Sequence, residues 1–149
     1  MRSSFVTARI AVLALLVVAC TTISPFSSVA YQQATSLKVD ALKVMTSAIE
    51  PFSDHKTEAD ALITNLDKAF EYAKGRPKNG ISTEQWRILR DPDRNLLGGF
   101  LRRWQAEGKL TKPFIDEEKK IISDSFDTII GLESGKIGGE QVAAAANKQ

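Results

Sequence analysis

A single cysteine, Cys20, and a single histidine, His55, are all the chain has of either residue type. One cysteine excludes an internal disulfide. Neither a zinc site nor a Cys/His nucleophile can be assembled without a cluster of such side chains. A glycine-rich phosphate loop ending in Lys-Ser or Lys-Thr is missing, and Ser134-Gly135-Lys136 lacks the upstream loop. No run of alternating β-branched residues suggests a sheet. The one uninterrupted apolar run, residues 10–19, is shorter than the roughly 20 residues a membrane-spanning helix needs. Setting aside Arg2 and Arg9, residues 20–149 carry equal numbers of acidic and basic groups. That balance removes the net basic footprint of a nucleic-acid binder. No metal or cofactor is expected.

Paired carboxylates could still run glycoside chemistry. Asp116, Glu117 and Glu118 stand beside Lys119 and Lys120, which reads as a solvated helix face. Asp91 and Asp93 flank Pro92, where helix capping accounts for them. His55 follows Asp54 at an expected helix start and reads as an exposed first-turn residue. The chain is expected to bind rather than catalyse.

What is present begins with an export signal over residues 1–19. Arg2 and Arg9 precede the apolar run IAVLALLVVA. It ends in Val17-Val18-Ala19-Cys20, which resembles the lipobox of bacterial lipoproteins. The resemblance covers this N-terminal segment alone, and valine stands where leucine is commoner. It implies cleavage before Cys20, an acyl anchor on that thiol and attachment to a membrane. Thr21 is not the aspartate that favours inner-membrane retention in enteric bacteria, so the periplasmic face of the outer membrane is implied. A rival cut follows Ser28-Val29-Ala30, a small-residue site for ordinary signal peptidase. It would release a chain starting at Tyr31, free in the periplasm or secreted. Residues 20–33, rich in Ser and Thr and uncharged, read as a tether.

Residues 34–133 read as one all-α bundle of four to five amphipathic helices. Ala34, Leu37, Ala41, Leu42, Met45, Ala48 and Ile49 mark a first helix that Pro51 ends. Ser53 or Asp54 is the expected cap of a second, whose stripe is Ala59, Leu62, Ile63, Leu66, Ala69, Phe70 and Ala73. The last helix carries Phe114, Ile115, Ile121, Ile122, Phe126, Ile129 and Ile130, with Thr111 as cap and Gly131 to Gly139 as breakers. Residues 134–149 are expected to form a flexible tail.

Between these lies GISTEQWRILRDPDRNLLGGFLRRW, residues 80–104. Ser82 and Gln85 have capping-box spacing, and Ile81 and Trp86 that of a hydrophobic staple. Asp91-Pro92 stops that helix and is placed to start another. Gly108 reads as the residue past its end. Gly98-Gly99 admits three readings: a helix break, close helix packing, or a flat contact patch. Trp86 and Trp104 read as core or as the walls of a ligand groove.

Charge is uneven. Residues 74–112 hold 10 basic and 4 acidic groups, while residues 31–73 and 113–149 each hold 4 basic and 7 acidic. Complementary packing of arms and centre accounts for this, as does a surface for an anionic partner. The candidate contact residues are Arg87, Arg90, Arg94, Gly98, Gly99, Arg102 and Arg103. An envelope protein or an anionic envelope polymer is the partner they would suit. The alternative is a small-ligand or anion carrier with its pocket at Trp86 and Trp104.

Overall fold

A computed structural model describes residues 24–139 and 141–142. The expected signal peptide, Cys20 and residues 143–149 lie outside the described residues. The architecture is a small all-α bundle: α1 (Ser28–Thr46), α2 (Lys56–Gly75), α3 (Gly80–Arg90), α4 (Leu97–Glu107) and α5 (Lys112–Glu133). Two short 3-10 turns, Ser47–Ile49 and Phe52–His55, link α1 to α2. Among the described residues there is no strand, and no helix is long and apolar enough to cross a membrane.

α1 begins six residues earlier than its expected stripe. Ser27 is its N-cap, with its hydroxyl accepting from the Ala30 amide at 3.2 Å. The buried face runs Ala30, Ala34, Leu37, Ala41 and Met45, so the helical period extends back into the expected tether. Ser27→Ala is expected to lower stability by about 1 kcal/mol, the usual loss for a serine cap. Urea unfolding measures it, and an unchanged midpoint would mean the helix starts further on.

Of the three long helices, α1 runs antiparallel to both α2 and α5, with the Ser27 hydroxyl 3.0 Å from that of Tyr72 at the end of α2. Lys38 of α1 meets Asp127 of α5 at 2.6 Å, and Lys119 of α5 donates to the Thr46 hydroxyl at 2.8 Å. The start of α1 therefore lies with the ends of α2 and α5. Their apolar stripes close on one core with Leu62, Leu66, Leu89, Ile122, Phe126 and Ile129. Burying one such side chain contributes roughly 1.5–3 kcal/mol.

Several local expectations give way to tertiary context. Neither Ser53 nor Asp54 caps α2; both sit inside the second 3-10 turn. The capping box at Ser82 does not form. α3 starts at Gly80 behind Asn79, and Ser82 is buried one turn in. The Asn79 amide instead donates to the Ala73 carbonyl at 3.0 Å and closes the end of α2. The Thr83 hydroxyl donates back to the Asn79 carbonyl at 2.8 Å. Lys78, at φ 55°, turns the chain so sharply that the helix begins at once. Thr111 stands at the N-cap of α5 without a side-chain bond. Gly108 does end α4, at φ 76°. α5 runs through Gly131 to Glu133, and the chain then folds back so that Ile137 lies over Gly131.

Candidate functional site

The site is built around the turn between α3 and α4. Pro92 removes Asp91 from helical geometry. The Asp91 carboxylate accepts from the Asp93 amide at 2.9 Å, and its carbonyl from the Arg94 amide at 3.2 Å. Asp91 thus holds a turn and not a helix start; α4 begins only at Leu97. This tight return brings the first turn of α4 against the backbone just left behind. A Cβ on Gly98 would overlap the Arg90 carbonyl oxygen and reach the carbonyl carbons of Arg90 and Asp91 at 2.6 Å. On Gly99 it would overlap the carbonyl oxygen of Arg94. Close packing inside the chain therefore accounts for both glycines, which sit within α4 and do not break it. As a flat patch for an outside partner they are not needed.

The arginines divide into two groups. Arg87 and Arg90 border one hollow of about 200 Å³ with Asp91 and Pro92. Arg87 grips Glu84 through Nε and Nη2 at 2.7 and 2.6 Å, and this bond holds the Glu84 carboxyl below its ordinary pKa. Arg90 reaches Asp67 on α2 at 2.5 Å and stacks over Phe70 at 4.0 Å. It acts as a tie between α3 and α2, which fits the reading of acidic arm packing on basic centre. Arg90 is thus committed between two helices, whereas among the described residues Arg87 binds only Glu84 on its own helix and nearby Asp91, with 41% of its side chain exposed.

Arg94, Arg102 and Arg103 come together elsewhere. They border a hollow of about 360 Å³ with Asn95 and Gly99. A second hollow, of about 250 Å³, shares Asn95, Gly99 and Arg103 and adds Phe100, Phe114 and Glu118. The two form one groove along α4. Phe100 and Phe114 stack at 6.0 Å, and Arg103 lies over Phe114 at 4.2 Å while donating to Glu107 at 2.7 Å. Arg102 pairs with Asp93 at 2.5 Å, with both side chains mostly exposed. Arg94 is 3.9 Å from Asp91. Burial pushes the Glu118 pKa up, and Glu117 adds to it against the opposing charge of Arg103.

Trp86 and Trp104 wall no groove. They are 2% and 0% exposed. Trp86 meets Phe126 edge-on at 6.0 Å; Trp104 meets Phe52 at 5.2 Å and donates its indole N–H to the Glu50 carbonyl at 3.0 Å. The ligand groove expected between them is filled by core side chains. His55 is more engaged than an exposed first-turn residue: it contacts Glu50 at 2.6 Å and leans on Trp104 at 5.8 Å.

Sequence reasoning missed Asn95 and Phe114 in the groove and took Glu118 for a solvated face. It also missed the buried pair of Arg76 and Glu133, at 11% and 1% side-chain exposure. A signal was available, since Glu133 continues the step of Phe126 and Ile129 along the core stripe of α5. Among the described residues, no three His, Cys, Asp or Glu side chains converge as metal ligands. The groove's chemistry is a row of guanidinium donors beside an aromatic shelf, suited to carboxylate or phosphate groups. The chain matches no protein-family profile, no curated protein and no solved structure.

Proposed function

We propose that this chain is an exported, lipid-anchored binding module of the bacterial cell envelope. It holds an anionic envelope protein or polymer in the groove of Arg94, Arg102 and Arg103 and does no catalysis. The exposed Arg102–Asp93 pair on the groove rim is the observation that carries the reading. Exposed pairs of this kind contribute only about 0–1 kcal/mol. An incoming carboxylate or phosphate can therefore replace Asp93 at little cost.

The fold also favours the anchor over the rival cut. Cleavage after Ala30 would remove the Ser27 cap, the first turn of α1 and the Arg76 bond to Pro25. Cleavage before Cys20 leaves all three. The carrier alternative loses the pocket it placed at the tryptophans.

Two measurements test the proposal. The anchor is tested by intact mass: chain from host membranes should start at Cys20 and carry added acyl mass. A chain starting at Tyr31 would refute it. For the groove, Arg102→Glu with Arg103→Glu should leave the helical circular dichroism unchanged. Affinity for polyglutamate or polyphosphate should fall about tenfold, because two exposed contacts of up to about 1 kcal/mol each are lost and the reversed charges repel the polyanion. Unchanged affinity, with the fold intact, would remove the groove from the reading.

A further inference from the structure

One end of the bundle is built differently from the other. The start of α1, the end of α2, the start of α3 and the end of α5 meet there. Arg76 spans them: one Nη bonds Glu133 and the other donates to the Pro25 carbonyl at 2.5 Å. The Ser27 and Tyr72 hydroxyls are 3.0 Å apart. The incoming chain is therefore fastened to the body from Pro25 onward. Four residues lie between Cys20 and Pro25, five steps with an extended reach of at most about 18 Å. The other end of α1 is about 28 Å further along the helix. A lipid on Cys20 would hold the Arg76 end, and not the other, close to the bilayer.

That end has the surface such a position calls for. Phe26, Val29 and Tyr72 are 64%, 46% and 37% exposed, the first two being large apolar side chains left in solvent. Lys74, Lys78 and Lys136 are exposed at the same end of the bundle. Between residues 24 and 31 there is no carboxylate; residues 71–81 and 131–142 hold only Glu71, Glu133 and Glu140, against Lys74, Arg76, Lys78 and Lys136. Glu133 is buried and occupied by Arg76. Glu71 sits 3.6 Å from Lys74 on the surface. At the opposite end, residues 49–58 and 105–118 hold seven carboxylates and three lysines.

We infer that the Arg76 end is a docking face for an anionic phospholipid bilayer. Phe26, Val29 and Tyr72 enter the headgroup region, and Lys74, Lys78 and Lys136 lie against lipid phosphates. Aromatic and apolar side chains beside basic ones are the usual makeup of an interfacial contact. Each lysine near such a surface adds about fivefold to the attraction. The inference rests on the anchor at Cys20 and gives it a consequence. The arginine groove, whose Phe114 and Glu118 begin α5, is held towards the end turned away from the membrane.

The single cysteine provides the test. The chain from Cys20 onward retains every contact given above, because among the described residues no buried side chain precedes Ala30. Its thiol is coupled to a maleimide lipid in two kinds of vesicle, phosphatidylcholine alone and phosphatidylcholine with about 30% phosphatidylglycerol, enough for a negative surface. Hydrogen exchange of residues 76–80 and 134–137 should be at least about threefold slower on the anionic vesicles. Lys78→Glu with Lys136→Glu should remove the difference while circular dichroism stays unchanged. Equal exchange on both vesicles, or protection confined to residues 49–55 and 108–111, would overturn the inference. Because the lipid is attached chemically, failure here leaves the mass test of the anchor untouched. Absence of acyl mass in cells would refute the anchor without altering this result.

Discussion

Gly99→Ala should lower the stability of the fold by about 2 kcal/mol. Two effects of opposite sign compete. Alanine in a helix interior is favoured over glycine by about 1 kcal/mol, so propensity alone makes the change stabilising. Against this, the new Cβ overlaps the Arg94 carbonyl oxygen, with the carbonyl carbon only 3.0 Å away. Those atoms are backbone, and no rotamer can swing away. The turn over residues 91–96 or the start of α4 has to move instead. Overpacking in a tight site costs about 1–3 kcal/mol, and a clash with fixed backbone belongs at or above the top of that range. The clash outweighs the propensity gain. Urea unfolding of the two proteins decides it, and a rise of about 1 kcal/mol would sink the argument. Gly98→Ala, which meets the Arg90 and Asp91 carbonyls, should behave alike. A second readout follows from the groove. Moving this turn displaces Arg94 and Asn95 relative to Arg103, so polyanion affinity should fall together with stability.

The glycines show where sequence reasoning stops. Two adjacent glycines mark a position that excludes a Cβ, but not what excludes it. Whether the neighbour is a second helix, a partner or the chain's own previous turn depends on the return angle at Asp91-Pro92. Helical stripes are more legible, because burial enforces their period directly. The stripe of α2 and the apolar face of α5 sit in the core at Ala59, Leu62, Leu66, Ile122, Phe126 and Ile129 as spaced. Caps are less so. Ser82 and Gln85 satisfy the capping pattern, yet Asn79 and the left-handed Lys78 set the start of α3 three residues earlier. Ala30 was hidden for another reason: its small side chain suits a signal-peptidase site and a buried helix position equally well.

Of the candidate site, a cluster of arginines near Gly99 was legible and its grouping was not. Helical spacing places Arg87, Arg90 and Arg94 in one sector only if the helix runs straight. Pro92 interrupts it, so Arg94 joins Arg102 and Arg103 while Arg87 and Arg90 remain with α3. The tryptophans misled in the opposite direction. Their size and amphipathic rings suit a ligand groove. Here the one polar atom of Trp104 finds a backbone carbonyl at Glu50, and nothing is left to face solvent.

The largest loss is expected at Arg76. Arg76→Leu should lower stability by about 3–5 kcal/mol, because it strands a buried carboxylate. Glu133 is 2% exposed, and its Oε1 already has no hydrogen-bond partner. Its other oxygen depends on the guanidinium. Solvent cannot take over at so buried a site, so the full desolvation cost of the charge appears. Replacing both members tells the pair apart from its parts. Arg76→Leu with Glu133→Leu removes the stranded charge and should recover most of the loss, since buried ion pairs exchange for apolar groups at small net cost. A double-mutant cycle by urea unfolding reads the coupling, and simple additivity of the two changes would refute the stranded-charge argument. The recovered protein would still lack the Arg76 bond to the Pro25 carbonyl. Exchange of residues 25–30 should therefore stay fast in it even with core stability restored. That separates the two duties of one arginine: neutralising Glu133 inside the bundle, and fastening the incoming chain at Pro25 to the body of the fold.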